Sequence, residues 1–360
     1  MNRLRVGILG ATGMVGQRFV HLLDNHPWFE VVAVAASPRS AGKSYAEAVA
    51  GRWAMPAAIP DTVAKLKVVD VQAVDAVSQQ VAFVFSALDM DKQAIRDLED
   101  AYARKECPVV SNNSAHRWTP DVPMVIPEVN PEHLDIIDAQ RRRLGTRRGF
   151  VVVKPNCSIQ PYVPAFHALA DYQATRAVVC TYQALSGAGK TLATWPEMAD
   201  NIIPYIGGEE DKSVREPLKI WGRIQDGQIV PAESPVMSAQ CIRVPVSDGH
   251  MAAVSVSFVK KPPIDVIRQR WAEFAGKPHK LRLPSAPQPF LQYFEEDNRP
   301  QTKLDRDLGN GMAVAIGRLR EDNLFDYKFI ALSHNTVRGA AGGAVLIAEL
   351  LHAEGRLDLA

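Results

Sequence analysis

Apolar residues occur first in short unbroken runs and later in longer alternating ones, and the change divides the chain in two. Residues 4–9, Val31–Ala36, Val81–Ser86 and Val109–Ser111 are compact apolar runs, with a weaker one at Lys67–Val69. Helical spacing falls between them, from about Val15 to Asp24 and over the charge-rich Lys92–Ala103. Short apolar strands alternating with helices predict a parallel, doubly wound α/β sheet of Rossmann type. Pro120, Pro123, Pro127 and Pro131 predict a passage of turns, followed by a helix over 131–143. Beyond Cys157 the runs lengthen and alternate, at Ala177–Ala184, Ile242–Val246, Met251–Phe258, Ala313–Leu319 and Phe325–Leu332. These predict a second, α+β domain on a mixed, largely antiparallel sheet. Val345, Ile347, Ala348, Leu350 and Leu351 give Ala340–His352 the pattern of a closing helix that packs on the first domain. The expected division is 1–155 together with 334–360, and 156–333.

Composition narrows the function classes. With 360 residues, 47% hydrophobic and 22% charged, the chain has material for two cores and is unlike a disordered protein. A formal net charge of +1 gives no electrostatic case for nucleic acid or an anionic membrane. The basic cluster Arg141–Arg143 with Arg147 and Arg148 lacks interleaved aromatics and reads as a solvated helix end around Gly145. Cys107, Cys157, Cys180 and Cys241 show no Cys-x-x-Cys spacing, so neither a disulfide framework nor structural zinc is expected, and a reducing cytoplasm is. No group of residues has metal-ligand spacing, no run reaches membrane-spanning length, and the apolar start stops too soon at Gly10 for a secretory signal.

Gly10-Ala11-Thr12-Gly13-Met14-Val15-Gly16 follows an apolar run and opens a helix, the setting in which a glycine loop indicates dinucleotide binding. Gly10 permits the tight turn, Gly13 the approach of a pyrophosphate, and Gly16 close helix–strand packing. A carboxylate usually ends the second strand of an NAD site. Here Ser37, Arg39 and Ser40 stand there with Lys43 behind, which suits the 2′-phosphate of NADP.

Cys157 lies in Lys154-Pro155-Asn156-Cys157-Ser158, after the apolar Phe150–Val153 and where a helix is expected to start. Free amides at a helix N-terminus favour thiolate over thiol, and the thiolate is the nucleophile. Arg243-Val244-Pro245-Val246-Ser247-Asp248-Gly249-His250 offers an arginine on a strand and an imidazole after a turn, able to activate Cys157 and shuttle protons. Gly187-Ala188-Gly189-Lys190 looks briefly like a phosphate loop, but Ala184 stands where that motif needs its first glycine, so ATP is not expected there.

In order, the chain carries Gly-Ala-Thr-Gly-Met-Val-Gly, Ser-Asn-Asn-Ser with Arg117 soon after, Pro-Asn-Cys-Ser, Tyr-Gln-Ala-Leu-Ser-Gly-Ala-Gly, Glu-Glu-x-Lys and Arg-Val-Pro-Val-x-x-Gly-His. Over its whole length this series resembles the aspartate-semialdehyde dehydrogenases, and Ser333–Gly342 resembles their archaeal and fungal branch. The resemblance implies that Cys157 accepts the acyl group, His250 is the acid/base, Asn156 orients the cysteine or its oxyanion, and Gln183 positions the acyl group. It implies that Arg243 pairs with the substrate α-carboxylate, Glu209 (in preference to Glu210) with its ammonium, and Arg117 and Lys212 with phosphate. NADP would lie against Gly10, Thr12, Gly13, Met14 and Val15, against Ser37, Arg39, Ser40 and Lys43, and against Ser86, Ser186, Gly187 and Asn335.

The implied reaction, in lysine, threonine and methionine biosynthesis, converts L-aspartyl-4-phosphate through a Cys157 thioester to L-aspartate 4-semialdehyde with NADPH. A homodimer or homotetramer is implied, with small-molecule substrates and neither nucleic acid nor membrane as partner. Competing readings are a malonyl-CoA reductase on the same scaffold, a more distant N-acetyl-glutamyl-phosphate reductase, and a non-catalytic NADP-binding redox sensor. The last would leave Arg243, Glu209 and Arg117 idle. A glyceraldehyde-phosphate-type enzyme lacks support because the acidic residue after the second strand is absent.

Overall fold

The computed structural model describes residues 3–358; the outermost positions of the first expected domain, 1–2 and 359–360, lie outside them. Its first sheet holds six parallel strands, β1 Leu4–Leu9, β2 Phe29–Ala36, β3 Val68–Asp70, β4 Phe83–Ser86, β5 Val109–Ser111 and β6 Val151–Val153. They lie in the order β3-β2-β1-β4-β5-β6, so strand order reverses between β1 and β4. A ligand crevice is expected where two neighbouring strands send their following loops to opposite faces. The helices of this half are α1 Met14–Leu22, α2 Lys92–Arg104 and α3 Ile137–Leu144, the last stopped by Gly145 at φ 72°.

The second sheet contains β7 Ala174–Gln183, β10 Val236–Arg243, β11 His250–Phe258, β12 Leu291–Phe294, β13 Val314–Glu321 and β14 Tyr327–Ser333, while β8 Arg223–Gln225 and β9 Gln228–Val230 form a separate hairpin. Its order is β10-β7-β11-β14-β13-β12. The three central pairings are antiparallel, but both outer pairs, β10–β7 and β12–β13, are parallel. Helices α4 Glu209–Ile220 and α5 Ile264–Glu273 complete this half. The strand expected at Ile242–Val246 begins earlier, at Val236, because the exposed Ser238 and Gln240 interrupt its apolar signal.

The closing helix, α6 Gly342–Ala353, is buried from Gly342 to Leu351. A helix apolar all round has no solvent face and must sit inside a core. Here Val345, Leu346, Ile347 and Leu350 share one apolar cluster with Val6, Ile8, Phe83 and Phe85 of β1 and β4. The last part of the chain therefore completes the first core. Three of the clustered arginines have partners within the chain: Arg143 bonds Asp121, Arg141 lies 5.2 Å over Phe150, and Arg148 bonds the Leu357 and Glu106 carbonyls, while Arg142 and Arg147 are exposed at the helix end.

Candidate active site

Two cavities lie along the switch point. The larger, about 480 Å³, is lined by Gly10, Thr12, Gly13, Ser37, Arg39, Ser40, Lys43, Arg52 and the Ala87–Met90 loop. A Cβ on Gly10 would stand 2.2 Å from the Ala87 carbonyl oxygen, and one on Gly16 would stand 2.2 Å from the Gly10 oxygen. Gly10 also has φ +79°, so any side chain there meets both strain and collision. The N-cap Gly13 provides no side-chain cap and the first turn of α1 has no acidic residue, leaving its amides for an anion. The cradle and its three cations fit a dinucleotide with an extra phosphate. Arg52 has no motif around it, and only the fold brings it to the cavity.

The second cavity, about 210 Å³, runs between the two halves and is lined by Met14, Arg18, Ser186, Lys190, Asp248 and Thr336 among others. Asn335 fixes its wall, donating to Ser186 Oγ at 2.8 Å and accepting from the Gly249 amide at 2.8 Å. Two expected cofactor contacts lie elsewhere. Ser86 is buried and its hydroxyl accepts from Asn113 at 2.9 Å, while the adjacent Ala87 and Leu88 line the cavity instead. Val15 is half-buried against the core, so only its backbone faces the helix start.

Cys157 follows β6 but does not open a long helix. It begins a single 3-10 turn, Cys157–Ile159, and a short helix starts only at Val163. A macrodipole needs aligned turns, so the expected activation by a helix N-terminus does not apply here. Burial pushes the Cys157 thiol up and Glu209 pushes it further, while Lys154, Arg117 and Arg243 pull it back. Asn156 turns the cysteine by accepting its amide at 2.9 Å through Oδ1. The Asn156 Nδ2 is committed to Glu209 at 2.7 Å and to Ser158, so the side chain orients Cys157 without a free donor for an oxyanion.

The second sheet delivers the partners. Arg243 ends β10 beside Gln183 at the end of β7, and His250 begins β11, which runs antiparallel to β7. Residues distant in sequence thus meet at one sheet edge. Arg243 donates to the Ala184 carbonyl at 2.6 Å and, among the described residues, has no carboxylate within salt-bridge distance. His250 accepts the Ala184 amide on Nδ1 at 3.1 Å, which assigns the proton of the neutral ring to Nε2. That Nε2 is buried and has no partner. Burial, aided by Arg243, holds the imidazole down at about 3, so it is neutral at physiological pH. This tautomer is a hydrogen-bond donor, not the ready base for the Cys157 proton that the sequence suggested.

Two glycines leave this cluster its space. A Cβ on Gly187 would stand 3.0 Å from both Arg243 Nη1 and His250 Nε2, and one on Gly339 only 2.7 Å from Cys157 Cβ. The Gly339→Ala variant is expected to displace the nucleophile and lower kcat by about 10²-fold with the protein still folded. Steady-state kinetics beside a thermal melt checks this.

Helix α4 carries Glu209, Lys212 and Glu216. Glu209 accepts from Asn156, from Gln183 at 3.3 Å and from Lys212 at 2.7 Å. Burial alone would raise its carboxyl, but Lys212 and these hydrogen bonds outweigh burial and hold it below the usual range. Glu210 faces away and accepts the Cys241 amide at 3.3 Å. Arg117, expected at phosphate, is instead buried against Glu216 at 2.9 Å, with its Nε on the Lys154 carbonyl. Glu216 also accepts the Asn156 amide at 2.7 Å. Arg117 therefore braces the cysteine turn against α4, and Lys212, half-exposed on Glu209, is a cation of this helix that can still reach a ligand.

The family model "Semialdehyde dehydrogenase, NAD binding domain" matches residues 5–137, and "Semialdehyde dehydrogenase, dimerisation domain" matches 164–338. An aspartate-semialdehyde dehydrogenase of Methanothermobacter thermautotrophicus is 46% identical over 97% of this chain and 99% of its own. The chain belongs to the aspartate-semialdehyde dehydrogenase family. A fungal aspartate-semialdehyde dehydrogenase, from Aspergillus fumigatus, is 42% identical over 96% of each chain. The crystal structure of aspartate-semialdehyde dehydrogenase with NADP from Candida albicans superposes with a TM-score of 0.89, at 38% identity and covering 99% of this chain and 100% of its own. Both sheets of the family fold are thus present, and the motif series that suggested the family spans both matched domains. Among the described residues no group of His, Cys, Asp and Glu is placed to hold a metal, and no helix is long and apolar enough to cross a membrane.

Proposed function

We propose that the protein reduces L-aspartyl-4-phosphate to L-aspartate 4-semialdehyde with NADPH, releasing phosphate, and that it runs through a thioester on Cys157. The observation that carries this reading is the orphaned Nε2–H of His250 beside Arg243, a buried cation that bonds no carboxylate. Buried polar groups are normally satisfied, so an unpaired buried donor next to the space that Gly187 leaves open is a natural place for a ligand atom. Arg243 would take the α-carboxylate and Glu209 the ammonium, displacing Lys212, which would turn toward phosphate. The alternation of charge, cation then anion then cation, matches the carboxylate, ammonium and phosphate of the substrate.

Cys157 Sγ would attack the acyl carbon, forming the C–S bond as the C–O bond to phosphate breaks. His250 Nε2–H would donate to the acyl oxygen as charge develops there, a role whose loss costs roughly 3–4 kcal/mol per donor in comparable sites. Bound NADPH would supply the hydride that reduces the thioester. The sulfur would leave again as thiolate, freeing the aldehyde, while Asn156 holds the turn in place.

The test is NADP reduction with L-aspartate 4-semialdehyde, run with and without inorganic phosphate and beside NADPH oxidation with malonyl-CoA. Phosphate-dependent reduction is expected; turnover with malonyl-CoA alone would favour the rival reading. For the cofactor, Arg39→Glu is expected to weaken NADPH binding by about 10- to 100-fold, the cost of one or two lost charge-assisted bonds, with little change for NADH. Titration by fluorescence checks it. The outward face of the second sheet, where Tyr182 pairs with Met251 and Ala253 with Ile330, is half-exposed, and we place the homodimer contact there.

A further inference from the structure

Lys154 is a buried cation near the nucleophile that has neither a task in the proposed reaction nor a carboxylate partner among the described residues. Its side chain is 2% exposed and lies along α6, where a Cβ on Gly343 would stand 3.1 Å from Cε. Its Nζ donates to the Pro155 carbonyl at 2.5 Å. Among the described residues no carboxylate comes within 4.0 Å of it, although the neighbouring cations are provided for. Arg117 holds Glu216, Arg338 holds Glu128 and Lys212 holds Glu209. A buried ammonium with one carbonyl for company is unstable unless an anion stands near it. Three positions along the chain is Cys157, and the two side chains lie against one segment: a Cβ on Gly339 would stand 2.7 Å from Cys157 Cβ, and one on Gly343, four residues on, 3.1 Å from Lys154 Cε.

We propose that Lys154 is the counter-ion of the Cys157 thiolate, a positioning residue that acts through the nucleophile. The thiol–amine and thiolate–ammonium forms of the pair carry the same net charge. The proton lost at Sγ is balanced by one held at Nζ, so the site forms its nucleophile without burying net charge. Burial opposes both charges, but each favours the other. Burial brings the Lys154 ammonium down to about 7 and Cys157 is the first influence raising it, while Lys154 is the first cation pulling the raised Cys157 thiol back.

The other charged groups around the pair do not replace it. Glu209 of α4 opposes a thiolate, Glu216 adds to the support of the Lys154 ammonium but is held by Arg117, and Arg338 is held by Glu128. Arg243 is reserved for the substrate in the proposed reaction, and His250 is neutral. A thiolate prepared by Lys154 also accounts for an imidazole that offers a donor where a base was expected.

The inference rests on the proposed role of Cys157 as nucleophile, but its test reads ionisation without turnover. The rate of iodoacetamide alkylation of Cys157, followed by peptide mass, is measured against pH in the intact protein and in Lys154→Met and Lys154→Arg. Lys154→Met is expected to slow alkylation at pH 7 at least about tenfold and to move the midpoint up by about one pH unit or more, and Lys154→Arg to restore most of the rate. Folding is checked by thermal melt. If Lys154→Met does not fold, Lys154→Gln takes its place. Thiolate absorbance near 240 nm, followed against pH in the unmodified protein and in the neutral variant, gives a further reading, expected to develop at higher pH in the variant. A midpoint unchanged in a folded neutral variant, by alkylation or by absorbance, would overturn the proposal. An unreactive Cys157 site with normal turnover would instead sink the reaction it rests on.

Discussion

Replacing Cys157 by serine is expected to lower phosphate-dependent turnover by at least about 10³-fold while leaving NADP binding intact. The hydroxyl keeps the size and the turn, and the Asn156 bond to the residue 157 amide is unaffected. What changes is the leaving and attacking atom. An alkoxide is far harder to form than a thiolate, and an ester accepts hydride less readily than a thioester. The cofactor cavity, lined by the glycine loop and the Ser37–Lys43 segment, contains no atom of Cys157. Two measurements check the prediction together. Protein mixed with substrate without NADPH should gain the mass of an aspartyl group at Cys157, and the serine variant should not. Unchanged turnover in Cys157→Ser would remove the thioester from the scheme altogether.

His250→Ala is expected to lower kcat by about 10²- to 10⁴-fold, the range of a positioned acid. The loss should fall mainly on kcat, because the orphaned Nε2–H is best placed for an oxygen that gains charge during reaction. The same substitution has a signature in stability. The folded imidazole is held at about 3, well below the ordinary value, so the unfolded chain takes up the proton first. The contribution of the neutral, buried ring is present above about pH 6.5 and is lost as pH falls from there toward 3, at up to about 1.4 kcal/mol per unit. The alanine variant should therefore show a shallower fall in melting temperature with acid than the parent chain. Thermal melts from pH 7 to 4 give that slope directly.

The first half of the fold was legible because its signals are local. A glycine loop between an apolar run and a helix needs only seven consecutive residues, Gly10–Gly16, and the structure puts it at the reversal of strand order. The second half was legible in type but not in detail. Its outer strands pair in parallel, and β12 and the β8–β9 hairpin carry too short a pattern to be read from periodicity. Motifs pointed to Cys157, Arg243 and His250, which the fold brings to the same region, but not to their electrostatic surroundings. Arg117 read as a phosphate ligand because its partner, Glu216, is 99 residues away. Glu209 and Glu210 are neighbours that a helix turns to different sides, so only the position of α4 separates them. Lys154 follows the apolar run Phe150–Val153, and nothing in the order of residues says that its amine is walled in.

Because α6 fills the middle of the nucleotide-binding core, the two halves cannot mature in the order in which they are synthesised. A ribosome releases β1 to β6 long before the segment that must lie against Val6 and Phe83. Until then that sheet has an open apolar flank, while residues 164–338 have already emerged in full. A nascent or prematurely terminated polypeptide lacking Gly342–Ala353 should thus expose a sticky sheet to chaperones and proteases, and it should fail on nucleotide columns even with every glycine of the loop in place.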